Sequence, residues 1–289
     1  MAKRIIFGLI WTAFGITMLF LRNTLLLVFV VAALCVIATH ELNHAVNLQN
    51  KPVMVLSLIA SACVPLYYEF GGYLQNFGLN LKAEYLVCIY ILALCIFMLF
   101  EYEKTKFSHI ATVVIGSLGV PFAITRLLYF RDIHKVFPEQ NYNENHGLFL
   151  MLFAMFCAWM TDVMAYFVGS FCGKHKLCPN ISPKKTVEGA IGGVVGCVIS
   201  TVILYAVFTN LIFETKENNY LAVILMTIFL SIISMCGDLT ASVIKRNFGI
   251  KDFGKLIPGH GGIMDRFDSV IMVAPIMYLI TIHLMVIHL

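Results

Sequence analysis

The stretch 148-LFLMLFAMFCAWMTDVMAYFV-168 decides the fold class, because its 21 residues carry a single charged side chain, Asp162. A helix needs about 20 mostly apolar residues to cross the hydrocarbon core of a bilayer. The whole chain agrees, with 60% hydrophobic and only 12% charged residues and a mean hydropathy of +0.87. A typical soluble domain has about twice that charged fraction. The sequence therefore predicts an all-α integral membrane protein.

Eight further segments have this character on either side of that stretch, which predicts about nine transmembrane helices. The nine segments are 5–21, 24–39, 53–68, 85–100, 110–130, 148–168, 190–213, 221–239 and 270–289. We expect one integral membrane domain over residues 1–289, with N-terminal helices in 1–147 and a C-terminal half in 148–289 that carries the candidate functional residues. The first segment resembles a signal peptide but has no obvious cleavage site, so a retained helix is expected.

The basic residues predict the orientation. With the N-terminus in the cytoplasm, most of the 20 Lys and Arg residues fall on the cytoplasmic side, as the positive-inside tendency requires. This N-in/C-out arrangement places the connections after segments six and eight on the cytoplasmic face. We therefore expect a multi-pass membrane protein with its functional site facing the cytoplasm.

Charge and cysteine usage exclude other classes of protein. A net charge of +4 with clustered basic residues argues against nucleic-acid binding. The nine cysteines lie mostly in apolar runs and form no CxxC pair, which predicts buried thiols without a disulfide framework. Cys172, His175 and Cys178 are too few for a complete metal site.

The sixth segment leads into a polar connection, 182-SPKKTVEGAIGG-193. Ser182 and Pro183 are typical of an N-cap and first helical turn, which would direct N–H groups and the side chains of Lys184, Lys185 and Thr186 at an anion. The alternatives are an ordinary helix start, lysines that face lipid headgroups, and a Glu188 that only pairs with Lys184. Gly192, Gly193 and Gly196 are expected to allow close helix packing.

The second polar stretch, 242-SVIKRNFGIKDFGKLIPGHGGIMDRFD-268, combines cations, carboxylates and glycines. Carboxylates suit a hard cation, Lys and Arg suit phosphate oxygens, and glycine lets backbone N–H groups approach a ligand. Just before it, Asp238 ends an apolar run, where an ionised carboxylate needs a partner or a metal. Asp265 and Asp268 are three residues apart at the start of the last segment, where a capping role for Asp268 is the alternative.

These two stretches together resemble the signature of the phosphatidate cytidylyltransferases, the CDP-diacylglycerol synthases. The matching residues are SxxKR from Ser242, KDxG from Lys251 and IPGHGGIMDRFD from residue 257, together with SPKKTxEG from Ser182. The helix number and chain length resemble bacterial members, so the likeness covers the chain, although its specific part is the C-terminal half.

The resemblance implies that CMP is transferred from CTP to phosphatidate in the membrane, with Mg²⁺ as cofactor. It implies Asp238 and Asp265 as leading metal ligands, with Asp268 and Asp162 as further carboxylates. The remaining predicted catalytic and substrate-binding residues are Lys245, Arg246, His260, Arg266, Ser182, Lys184, Lys185, Thr186, Glu188, Lys251, Asp252, Lys255, Gly261 and Gly262. His260 would donate to a phosphate or hold its turn. The sequence leaves monomer and homodimer open.

Three alternatives remain at this point. A CTP-dependent transferase could act on another lipid phosphate. His40, Glu41 and His44 form a literal HExxH, the helical zinc-protease motif, although a short motif of this kind also arises by chance. A transporter would account for the many helices and for Asp162, but it gives no reason for the basic, glycine-rich stretch.

Overall fold

The computed structural model describes residues 13–76, 82–140, 142–213, 219–256 and 261–284. Within these ranges the long helices are α1 (Leu25–Ala45), α2 (Lys51–Asn76), α3 (Ala83–Phe100), α4 (Phe107–Val114), α5 (Val120–Arg131), α7 (Glu144–Cys172), α8 (Val187–Leu211), α9 (Tyr220–Asn247) and α10 (Met264–Leu284). A π-helical turn, Ile115–Gly119, joins α4 to α5, and α6 (Ile133–Val136) is a single turn. The two short strands are β1 (Lys176–Cys178) and β2 (Ser182–Thr186).

Seven helices of the described chain are long and apolar enough to cross a membrane. They are α1, α2, α3, the α4–α5 pair taken as one span, α7, α8 and α9, and they match predicted segments two to eight. The predicted all-α, polytopic membrane fold is thus confirmed. Residues 5–12 of the first predicted segment lie outside the described residues, whereas residues 13–20 are helical, and α10 contains most of the ninth.

Two predicted boundaries are wrong, both at polar connections. The helix that carries Asp238 does not end there but continues to Asn247. Ser182 and Pro183 do not start a helix, because they lie in β2, which pairs with β1 in an antiparallel hairpin. The N-cap of α8 is Thr186 instead, whose side chain accepts a hydrogen bond from the Gly189 N–H at 3.1 Å.

The chain divides into two compact units. The first comprises Met1–Thr125 and Phe248–Arg266, and the second comprises Arg126–Asn247 and Phe267–Leu289. In the first unit, buried polar groups are paired between helices: Thr39 Oγ1 donates to the Gly116 carbonyl at 2.7 Å, and Asn43 Nδ2 donates to Ser57 Oγ at 2.8 Å. Apolar surroundings require such pairing, because an unpaired polar group there is costly.

Glycine-mediated packing organises the second unit, where α7 lies directly against α8. A Cβ on Gly193 would lie 2.8 Å from the Thr161 carbonyl oxygen, and a Cβ on Gly196 would lie 2.5 Å from the Met164 side chain. Small residues allow helix backbones to approach closely in membranes. The structure therefore confirms the packing role predicted for these glycines.

All nine cysteines are free thiols. Only Cys35, Cys157 and Cys197 are buried, so the prediction of buried thiols is wrong for the other six.

Candidate active site

In the second unit, Lys185 of β2 and Asp238 of α9 form an ion pair through Nζ and Oδ2. Their side chains are only 25% and 22% exposed. Close by, Arg246 Nε donates to the carbonyl oxygen of Ile181 at 3.5 Å, just before β2. The hairpin and the C-terminal part of α9 are thus in contact. Two of the signature segments that the sequence singled out meet in this unit.

Three predicted carboxylates also come together in the second unit. Ser269 Oγ donates to Asp162 Oδ2 at 2.9 Å, and Asp268 Oδ1 accepts from the Ser269 N–H at 2.8 Å. Partial burial, with the negative charges of Asp238 and Asp162, raises the pKa of Asp268 to about 7, and the Lys245 charge opposes this shift. Asp268 precedes the ninth predicted span, and it contacts its neighbour's N–H rather than capping α10.

Mg²⁺, the expected cofactor, stays a prediction. Among the residues that the structure describes, no three His, Cys, Asp or Glu side chains are arranged as a ready-made metal cage. Mg²⁺ does not need one, since it is usually held by one or two carboxylates together with substrate phosphates and water. The negative charges of Asp162 and Asp238 both act on the Asp268 carboxyl group. A divalent cation would offset this repulsion.

Glu188 does not pair with Lys184 as one alternative had it. Its Oε1 contacts His175 Nδ1 at 2.6 Å, and its Oε2 accepts from the Lys174 N–H at 3.0 Å. Glu188 therefore ties the start of α8 to the residues just before β1. His175 is occupied in this contact.

The other predicted phosphate-binding cations lie mostly at the surface. Lys184 is exposed on β2, and Lys251, Asp252 and Lys255 are exposed in the connection before α10. Arg246 is also exposed, whereas Ser182, Lys245 and Arg266 are half-buried. The exposed lysines at these polar connections are accessible to the phosphate groups of a ligand in solution. His260 lies outside the described residues, so its role stays a prediction.

In the first unit, Asp265 holds the connection that leads into α10. Its Oδ2 accepts hydrogen bonds from the Phe253 N–H at 2.9 Å and the Gly262 N–H at 3.0 Å. Gly261 has φ +84, and a Cβ there would lie 2.9 Å from the same oxygen. Glycine is thus required at this position on two grounds, since the backbone conformation disfavours a side chain and the carboxylate leaves no room for one.

The acidic residue of the HExxH motif has a contact that the sequence did not predict. Glu41 of α1 is 6% exposed, and it accepts hydrogen bonds from the Ile263 N–H at 3.1 Å and the Met264 N–H at 2.9 Å. His40 and His44 are exposed, so the motif does not present its three side chains together. The sequence feature that could have indicated this contact is the position of Glu41 in an apolar helix, because a carboxylate there needs a polar partner.

Known proteins share this chain's sequence over most of its length. The model of the Cytidylyltransferase family matches residues 2–284. A protein of Staphylococcus epidermidis named phosphatidate cytidylyltransferase is 32% identical over 91% of this chain and 92% of its own length.

The chain belongs to the Cytidylyltransferase family.

Two further members with the same name align over a shorter part. The Staphylococcus haemolyticus protein is 44% identical over 49% of this chain and 52% of its own length. The Bacillus subtilis protein is 37% identical over 62% of this chain and 59% of its own length. The matched part thus spans about half the length of these two relatives. Family membership agrees with the signature segments, and neither the zinc-protease nor the transporter alternative finds support in these relatives.

Proposed function

We propose that this member of the Cytidylyltransferase family transfers CMP from CTP to phosphatidate, giving CDP-diacylglycerol and pyrophosphate. The ion pair between Lys185 and Asp238 carries the proposal, because it joins two signature segments in one unit. A cation from one segment and a carboxylate from the other are what a nucleotide phosphate and its metal ion would each require. The three relatives compared with this chain bear the name of this activity.

The proposed reaction is a phosphoryl-type displacement. An oxygen of the phosphatidate phosphate forms a bond to the α-phosphorus of CTP, and the bond from that phosphorus to the bridging oxygen of the β-phosphate breaks. Pyrophosphate leaves with the electron pair. A phosphate monoester is already an anionic nucleophile, so the main obstacle is repulsion between two groups of negative charge.

Charged residues of this chain can reduce the repulsion between the two phosphate groups. Lys184, Lys185, Lys245 and Arg246 belong to the second unit, and their positive charges would bind phosphate oxygens and stabilise the leaving pyrophosphate. Asp238, Asp162 and Asp268 would hold Mg²⁺, and Asp265 stays a predicted ligand. When bound, the ion would supply charge neutralisation at the phosphates. The acyl chains of the lipid would remain in the membrane, with the site at the cytoplasmic face of the bacterial cell membrane.

The proposal is tested with purified protein, CTP labelled in the α-phosphate and a panel of lipid phosphates. We expect label in CDP-diacylglycerol and release of pyrophosphate with phosphatidate, both dependent on Mg²⁺. Asp238→Asn and Asp265→Asn should fold but lose this activity, whereas Lys176→Ala, an exposed change on β1, should keep it. Turnover only with an ether-lipid or polyprenyl phosphate would favour the alternative substrate class, and full activity of both Asp variants would contradict the metal assignment.

A further inference from the structure

We propose that Glu41 is a positioning residue for cytidylyl transfer, because its carboxylate fixes the turn that carries Asp265. The role of Asp265 in this statement rests on the proposed function. The contact itself rests on the geometry of the first unit, to which both Glu41 and Asp265 belong. None of the family signature segments includes Glu41, which lies in α1.

The two backbone groups that Glu41 binds are those that a helix start leaves without partners. Helix α10 begins at Met264, with Ile263 just before it, and the Arg266 N–H donates to the Ile263 carbonyl at 2.9 Å. The N–H groups of the first turn have no acceptor inside the helix. A carboxylate at this end also interacts favourably with the helix dipole. Glu41 therefore caps α10 from a different helix.

Two glycines create the space that this carboxylate fills. A Cβ on Gly254 would lie 2.1 Å from Glu41 Oε1, and a Cβ on Gly262 would lie 2.3 Å from Glu41 Oε2. Real Cβ atoms do not approach other atoms so closely, so any side chain at either position would displace the carboxylate. Gly254 and Gly262 thus leave the room that the Glu41 carboxylate occupies.

Glu41 and Asp265 act on consecutive peptide groups. Asp265 accepts from the Gly262 N–H, and Glu41 accepts from the next two, Ile263 and Met264. Three successive N–H groups are therefore directed at two carboxylates. Because the Asp265 backbone follows directly, removing the Glu41 contacts would loosen the position of the Asp265 side chain.

The HExxH motif gives a competing interpretation of the same residue. In a zinc protease the Glu activates water between two His ligands. Here Glu41 is buried and bonded to backbone N–H groups, whereas His40 and His44 are exposed. A buried charge in an apolar helix needs a polar partner, and the start of α10 supplies it.

The first experiment compares Glu41→Gln with wild type, with His40→Ala as the matched control from the same turn of α1. Gln keeps the shape, but its NH₂ group would face one of the two N–H donors. We expect a fall in kcat of about 100-fold, the size that a misplacement of about 1 Å can produce. The Mg²⁺ concentration for half-maximal rate should rise, while KM for phosphatidate stays within about twofold.

Hydrogen exchange supplies a readout that does not depend on activity. Peptides covering residues 261–266 should exchange faster in Glu41→Gln than in wild type and His40→Ala, with other helices unchanged. Wild-type exchange together with wild-type kcat in Glu41→Gln would overturn the proposal. If the wild-type protein transfers no CMP at all, the proposed function fails, but the exchange result still decides whether Glu41 holds the turn.

A double-mutant comparison distinguishes the loss of the Glu41 contact from a general loss of folding. Gly254→Ala should lower kcat and thermal stability in wild type, because its Cβ collides with the Glu41 carboxylate. In Glu41→Ala the collision partner is gone, so Gly254→Ala should change kcat by less than about threefold. Residues in contact show such non-additivity, whereas independent sites do not. Equal effects of Gly254→Ala on kcat in both backgrounds would overturn the proposal that this glycine makes room for Glu41.

Discussion

Lys185 and Asp238 form an ion pair in which each side chain is about one-quarter exposed. One residue comes from a strand of the hairpin and the other from the interior of α9. Asp238 is thus held by a cation of the protein itself, which offsets the cost of a carboxylate in an apolar helix. A nucleotide phosphate that binds Lys185, and a metal ion that binds Asp238, would separate the pair without leaving either charge uncompensated.

Replacing Lys185 should impair both substrate binding and the Asp238 environment. We expect Lys185→Met to lower kcat/KM for CTP by about 100-fold, because the change removes a phosphate-binding cation and leaves the carboxylate without its partner. Lys185→Arg should retain more activity than Lys185→Met. The measurement is CDP-diacylglycerol formation at several CTP concentrations. Lys176→Met, on the paired strand and exposed, is the control; equal rates for Lys185→Met and this control would contradict the prediction.

Asp268→Asn should stabilise the protein and lower its activity. The gain in stability should depend on pH. The pKa of Asp268 is about 7, raised from 3.8, so ionisation in the folded state is disfavoured. Its destabilising effect is absent below about pH 4, grows between pH 4 and 7 and is complete above pH 7. In EDTA, Asp268→Asn should therefore raise Tm more at pH 8 than at pH 5.

Thermal unfolding of the detergent-solubilised protein measures this difference. Glu139→Gln removes an exposed charge and should leave Tm unchanged at both pH values. A lower Tm for Asp268→Asn at pH 8 would contradict the like-charge interpretation. Such an exchange of stability for function is common at active sites.

The packing of α7 on α8 predicts that two glycines do not tolerate a side chain. Gly193→Ala places a Cβ 2.8 Å from a backbone carbonyl oxygen, and Gly196→Ala places one 2.5 Å from Met164 Cγ and 2.7 Å from Met164 Cβ, the atoms nearest the Met164 backbone. We expect each substitution to destabilise the protein by about 1–3 kcal/mol. Gly72→Ala in α2, with no atom within 4 Å of its Cβ, is the neutral control. Thermal unfolding would contradict the prediction if all three variants matched wild type.

The N-cap of α8 can be tested with an isosteric pair. Thr186→Val removes the hydroxyl that accepts from the Gly189 N–H, so we expect a loss of about 1 kcal/mol in stability. Thr186→Ser retains the hydroxyl and should remain near wild type. Thermal unfolding distinguishes the two. A Thr186→Val variant as stable as wild type would contradict the prediction.

The sequence predicted the membrane fold well, because apolar length alone determines where a helix can span. It failed where polar residues start or end helices. Ser182 and Pro183 have the chemistry of a helix start, but pairing with β1 overrides this local preference, and Thr186 takes the capping role. Asp238 looked like a helix end, yet its ion pair with Lys185 lets α9 continue through it.

Site residues were predictable where the chemistry is local and unpredictable where it depends on long-range contacts. The carboxylates Asp162, Asp238 and Asp268 could be proposed from their apolar surroundings and from the family signature. The Glu41 contact could not, because the Ile263 and Met264 N–H groups that it binds leave no side-chain signal in the sequence. The HExxH motif includes Glu41, but as a zinc-protease motif it predicts a role beside two His ligands and not the contact with backbone N–H groups.

The link from Glu41 to the start of α10 also bears on how incomplete chains of this family should be judged. A fragment that begins at residue 148 would contain every residue of both signature segments. It would nonetheless lack the acidic side chain that anchors the turn before Asp265. A truncated form of this chain that keeps the signature segments alone should therefore be inactive.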